Sequence, residues 1–333
     1  MTSPEKKRKK KTTTNPSLKP SLLLPPTPQS TPNPDLPDDL LLSCFARVSR
    51  LYYPTLSLVS KSFRYLLASP ELYQTRSQLD RTESCLYVCL SLPPDPNPRW
   101  FTLCRRPNQT LLTKKKKKKK KKQSSNLLVP ITCPHSTPVR ASFVAIGSDI
   151  YEIGGLVNGV PSSTVSVFDC RSHSWHQAPN MLVATEKPQA MAIDGKIYVR
   201  GAEHLHTPSI CVIDSVLYLH HQGEFKWFDN KERDGRILQG LLYGLAGLPK
   251  FFSCSTTCSQ IQLADYGGKM AVLWDRHDRS SDCKGRKVWC AVITLERRSS
   301  KEIWGRVEWS DDSEAVLEVP GSVAFVGVVA ATL

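Results

Sequence analysis

The sequence predicts a small all-α module of three short helices followed by an all-β domain of many short strands. Three observations predict it. Between residues 35 and 80 apolar side chains recur at helical spacing. From residue 84 the apolar period falls to two, with Gly, Asp, Asn and Pro turns between short runs. Within that second part a strand–turn–strand unit returns 47 positions after its first copy. A chain of 333 residues suits two or three domains.

Residues 1–34 read as a tail. They are rich in Pro, Thr and Ser and carry the basic run KKRKKK at 6–11, so they offer no apolar face to bury. In the helical module, 35–80, Pro37 opens the first helix, because the N1 position needs no amide donor. Asp38 and Asp39 follow in the first turn, where the helix dipole favours carboxylates. Leu41, Phe45 and Val48 form the stripe, widened by Leu42. Pro54 opens a second segment, in which Leu56, Val59, Phe63, Leu66 and Leu67 recur at helical spacing. Ser69-Pro70 stops that helix and starts a third. So small a module has little core and leans on a partner.

The β domain, 81–333, begins with CLYVCLSL and RWFTL and is interrupted between 105 and 130 by nine lysines, Lys114 to Lys122. Its first repeat copy runs from Ile146 to Gly155, the second from Ile193 to Ala202. A fainter third spans Ile213 to Leu219, and a fourth echo spans Leu263 to Val272. Ser-Asp or Asp194-Gly195 makes the hairpin turn, where positive φ is needed. Ile and Tyr start the returning strand. The pairs Gly154-Gly155 and Gly201-Ala202 let the chain turn beside a neighbouring sheet. After the first copy, VSVFD leads to Trp175, a side chain placed to pack between sheets. Many short strands of this kind make a sandwich or a propeller.

The repeat resembles the kelch unit, about 50 residues folded as one four-stranded propeller blade. Leu36-Pro37-Asp38-Asp39-Leu40, Leu56 to Phe63 and Ala68-Ser69-Pro70 resemble the F-box. In this order the two are similar to the plant family of F-box/kelch-repeat proteins, and CLYVCL, GEFKWFD, GLAGLPK, YGGKMAVLWDR and EIWGRVEW resemble that family too. The resemblance implies an F-box followed by a kelch-type propeller. It implies that Leu36, Pro37, Leu41, Phe45, Leu56, Val59 and Phe63 meet a Skp-type adaptor and through it a cullin, while the propeller holds a protein substrate. Gly154, Gly155, Trp175, Asp194, Gly195 and Gly201 are the kelch motif positions. The family pattern is broken twice. The third copy follows the second by only 20 residues, which predicts a blade missing after Ala202 and leaves ring closure open. Gly235 stands where a Trp belongs seven residues after Phe228, as Trp175 follows Phe168.

The net charge of +15 suggests a nucleic-acid binder until it is located. Residues 6–11 supply six basic residues and 114–122 nine more; the rest equal the 30 acidic residues in number. No aromatics interleave the lysines, as stacking on single strands requires. Solvated low-complexity runs are therefore the first reading, and non-specific contact with nucleic acid the second. KKRKKK reads equally as a nuclear import signal or a solvated tail. Eleven cysteines, no signal peptide and no long apolar span point to a reducing compartment, cytoplasm or nucleus. No phosphate loop or nucleophile elbow is present. His204, His206, His220 and His221, and Cys254, Cys258, Cys283 and Cys290, lack the tight spacing of a zinc site. Asp149, Asp194, Asp214 and Asp265 are turn residues. A non-catalytic ubiquitin-ligase subunit without cofactor is the expectation. The alternatives are a basic nuclear nucleic-acid-binding protein, or an impaired family member with an unclosed propeller.

Overall fold

The computed structural model describes residues 36–95, 97–105, 126–131, 135–201, 209–221, 223–229, 235–241, 261–277, 285–310 and 315–333. The tail, the lysine run, His204, His206, Cys254, Cys258 and Cys283 lie outside them. The chain divides at Pro37, and every helix and strand belongs to the unit Asp38–Leu333. The expected boundary between 80 and 81 therefore falls inside one unit.

Four helices and a 3-10 turn replace the expected three helices: α1 (Asp38–Ala46), the turn Arg50–Tyr52, α2 (Tyr53–Leu56), α3 (Lys61–Leu67) and α4 (Pro70–Gln78). The extra break comes at 57–60. There Ser60 leaves the helical region and its hydroxyl caps α3, accepting from the Phe63 amide at 3.0 Å. Pro70 opens α4 as expected. Leu42, Phe45, Ala46, Tyr53, Leu66, Leu67 and Leu72 form the buried centre.

Among the described residues the β part contains four complete blades and one reduced blade. The first sheet joins β1 (Ser84–Ser91), β2 (Arg99–Arg105) and β3 (Asn126–Pro130) to β21 (Ala324–Thr332), in the order β21-β1-β2-β3. The second is β4 (Ser142–Ile146), β5 (Asp149–Ile153), β8 (Val165–Asp169) and β9 (Ser174–Ala178). A short hairpin, β6 (Leu156–Val157) with β7 (Val160–Pro161), interrupts it. The third is only β10 (Pro188–Ile193) and β11 (Lys196–Gly201). The fourth runs β12 (Ser209–Ile213), β13 (Val216–His221), β14 (Glu224–Phe228), β15 (Arg236–Ile237). The fifth runs β16 (Gln262–Asp265), β17 (Met270–His277), β18 (Gly285–Ser299), β19 (Glu302–Ser310), with β20 (Leu317–Pro320) also paired to β18.

Where a gap was expected after Ala202, the described residues form a blade of two strands. The inner strands still follow one another in a ring: β21 beside β4, then β10, β12, β16, and back to β21. Ser142 and Ser209 stitch it, their hydroxyls accepting from the Ala190 and Leu263 amides of the neighbouring inner strands. Buried clusters fill four of the five junctions. Among the described residues none fills the junction between β10–β11 and the β12–β15 blade.

Gly235 sits where the register places it. Lys226 faces Ile237 and Trp227 faces Arg236, so Phe228 comes opposite Gly235 as Phe168 comes opposite Trp175. The site is not a void, however. A Cβ at Gly235 would lie 2.4 Å from the Phe228 ring, which folds over the glycine and takes the place of the absent indole. Gly235→Trp should therefore destabilise the protein by about 1–3 kcal/mol, because Phe228 must be driven out. Chemical unfolding of the two proteins checks this; a gain in stability would refute the filled-site reading.

Candidate functional site

Among the described residues most of the exposed large apolar side chains fall on two surfaces. The first is on the helical module. A helix that fills its own core leaves its other face for solvent or a partner. Leu40 on α1, Leu58 and Val59 in the break, and Tyr65 on α3 are 53%, 76%, 64% and 76% exposed. Large apolar groups so exposed mark an interaction surface. Of the residues expected to meet an adaptor, Leu36, Pro37 and Val59 are exposed. Leu41, Leu56 and Phe63 are half-buried and rest on the helical core. Phe45 is buried within it, edge-on to Phe63 at 4.8 Å. Leu40, Leu58 and Tyr65 were missed. A single helix through 54–67 gives one stripe, whereas the break at 57–60 resets the phase and turns Leu58 and Val59 outward.

The module is fixed to the first blade by a polar joint. Arg76 of α4 is 2% exposed, and its Nη1 donates to the carbonyls of Ala46, at the end of α1, and of Val48, just beyond it, and to the Tyr53 hydroxyl. Its Nη2 reaches Glu83 Oε1 at 2.5 Å. Glu83 also accepts from the Ser49 hydroxyl and the Arg50 amide at 2.8 and 2.7 Å. Its backbone exchanges hydrogen bonds with Leu333, next to β21. The Arg50 guanidinium lies over Tyr53 and Tyr73 at 5.8 and 5.2 Å. Glu83 thus joins the helices, through its carboxylate, to the strand ends that close the ring, through its backbone.

The second surface is a cluster of loops at one end of the second blade. Gly154 and Gly155, with φ of 58° and 91°, end β5 and let three segments meet. A Cβ on Gly155 would come within 2.8 Å of the Val139 carbonyl and the Ala141 amide. The Gly155 and Thr185 amides donate to Thr185 and Ser162 carbonyls, Met181 bonds Ser163, and Val139 exchanges bonds with Leu156. The Arg140–Glu186 ion pair clasps the edge. On this framework Val139, Val157, Val160, Leu182 and Val183 stand out, Leu182 fully exposed. Val157 and Val160 belong to the β6–β7 hairpin, and the other three lie in the connections around it.

The other repeat positions are structural. Trp175 packs against Trp100 of the first blade, 6.3 Å between centroids, and stacks on His135 at 3.9 Å. Asp194 and Gly195 take φ of 49° and 71°, the hairpin turn expected of them, and Asp214 with Ser215 does the same. Asp265 accepts from the Gly268 amide in its turn, and Asp149 starts β5. Gly201 ends β11 opposite Pro188. Burial in apolar surroundings pushes the Cys104 thiol up to about 12 and holds Cys170 and Cys211 well above the usual thiol range, as befits cysteines that fill core. Burial and the neighbouring His221 depress His220 to about 4. Among the described residues no group of side chains is arranged to hold a metal, and no helix is long and apolar enough to cross a membrane.

The F-box domain model matches residues 34–75, and the FKB95 Kelch-repeats domain model matches 100–208 and again 201–313. Two proteins of Arabidopsis thaliana align with all of this chain over all of their own length. F-box/kelch-repeat protein At4g39550 is 46% identical and F-box/kelch-repeat protein At5g49000 is 44% identical. The chain belongs to the F-box/kelch-repeat proteins. The helical module is the F-box and the blades are its kelch repeats. The kelch match divides at 201–208, immediately after the two-stranded blade. The alignment with the first relative runs over 414 positions for a chain of 333, a difference larger than one kelch unit of about 50 residues. That relative therefore has residues with no counterpart in this F-box/kelch protein.

Proposed function

We propose that the chain is the substrate-recognition subunit of a Skp–cullin–F-box type ubiquitin ligase and is not itself catalytic. The F-box would bind a Skp-type adaptor, and through it a cullin, while the kelch domain holds the protein to be ubiquitinated. One observation carries the reading: an F-box with a finished core of its own still presents Leu40, Leu58, Val59 and Tyr65 to solvent. The aliphatic loop cluster Val139, Val157, Val160, Leu182 and Val183 is the surface we assign to the target. The cytoplasm and nucleus, where such ligases work, are the compartments we assign to it.

The test is co-purification of the full chain with a Skp-type adaptor. Leu58→Asp with Val59→Asp should weaken the complex at least about a hundredfold, since each places a charge in a desolvated contact. The double variant Leu36→Ala, Pro37→Ala should weaken it as well. Leu182→Asp with Val183→Asp should leave adaptor binding unchanged. Undiminished binding of the Leu58/Val59 variant, with unchanged circular dichroism, would refute the assignment of this face.

A further inference from the structure

In the reduced blade the second strand is the outer edge, whereas in the complete neighbours a third strand covers the second. The hairpin of β10 and β11 has a two-residue turn, Asp194-Gly195, closing on the pair Ile193 and Lys196. Hydrogen-bonded and non-hydrogen-bonded pairs then alternate. The backbone groups of Lys196, Tyr198 and Arg200 face β10, and those of Ile197, Val199 and Gly201 face away. In the second blade the equivalent groups, on Ile150 and Glu152, are taken by β8, opposite Phe168 and Ser166. Among the described residues no strand pairs with the outer edge of β11.

Its side chains define what would fit there. Lys196, Tyr198 and Arg200 project from one face, with Met191 and Ile193 of β10 beside them, and Tyr198 is 51% exposed. Arg200 donates to Gln189 through Nε at 2.9 Å. β10 and β11 contain no acidic residue; Asp194 is in the turn. A second copy pairing antiparallel about Tyr198 would set Lys196 against Arg200, a like-charge contact.

We propose that the outer edge of β11 accepts an extended acidic segment of a partner protein as the missing third strand of the blade. The segment has the pattern acidic–x–apolar–x–acidic. Its carboxylates lie opposite Lys196 and Arg200, its apolar residue packs on Tyr198, and its backbone pairs with Ile197, Val199 and Gly201. Main-chain bonds supply affinity and the two charges supply register and sign. This site uses side chains other than those of the F-box face and of the aliphatic loop cluster.

The experiment is fluorescence anisotropy with the full chain and a labelled peptide containing Glu-Thr-Val-Thr-Glu. The controls are the same peptide with Lys for Glu, and one N-methylated at alternate backbone nitrogens. The acidic peptide should bind at least about tenfold more tightly than the lysine peptide, and high salt should narrow the difference. Lys196→Glu with Arg200→Glu should reverse the preference. Val199→Pro removes an outward-facing donor at a position where an edge strand tolerates proline, and should abolish binding while circular dichroism is kept. The N-methylated peptide should fail on the unaltered protein, which tests the edge without any variant. Equal binding of all three peptides, no binding at all, or a self-association that Val199→Pro dissolves would each overturn the proposal, the last by making the occupant a second copy.

Discussion

Deletion of residues 324–333 should unfold the entire β domain, and not only its first blade. Strand β21 pairs with β1 from Ser84 to Ser91, and its two faces enter different cores. Phe325 and Val328 lie in the cluster between the fifth and first blades, while Val329, Ala331 and Leu333 lie between the first and second. The four larger side chains are each worth about 1.5–3 kcal/mol when buried. Their sum is comparable with a whole-domain stability of about 5–15 kcal/mol. The loss falls on two junctions at once, so the ring has no intact half to fall back on. Circular dichroism and gel filtration of the truncated chain are the measurements. A soluble, folded product would show that the blades stand without closure.

The second large effect is expected at Glu83. Replacing Glu83 by Ala leaves the Arg76 guanidinium buried without its carboxylate and orphans the Ser49 hydroxyl and the Arg50 amide. Breaking a buried pair from one side costs about 3–5 kcal/mol. Glu83→Gln should cost less, because an amide oxygen still accepts. The signature is spatial as well as energetic: amide hydrogen exchange should accelerate in α4, in the Arg50–Tyr52 turn and at the start of β1, and hardly at all in β16–β19. Uniform acceleration throughout would mean that Glu83 supports the fold in general rather than the joint between its helical and β parts.

Much of this architecture was legible from residue types. Ser69-Pro70 marked the start of α4, and the Asp-Gly and Asp-Ser turns fixed the hairpins β10–β11 and β12–β13, because positive φ is a local demand. The 20-residue interval between repeats was readable as a deficit for the same reason. What stayed hidden depends on distant partners. The apolar run ending at Leu333 could not be matched to β1, since nothing in a strand's period names its neighbour. Gly235 was recognised as the place of an absent Trp, but that Phe228 covers it is a matter of side-chain packing. Phe45 and Leu58 are both apolar; packing of α1 on the other helices buries the first, and the break before Ser60 turns the second to the surface.

The pairing of β1 with β21 also sets an order in time. The F-box is held by contacts close in sequence, Phe45 with Phe63 and Arg76 with Val48. Such contacts form quickly, while those of high sequence separation form slowly. During synthesis the F-box can be native while the ring still lacks the strand that shuts it. A cell that captures this chain through its helices would therefore hold it before its kelch domain is able to bind anything. On the proposed function, adaptor capture and target capture would be successive events in the life of each molecule, separated by the time that synthesis takes to run from Gln78 at the end of α4 to Ala324 at the start of β21.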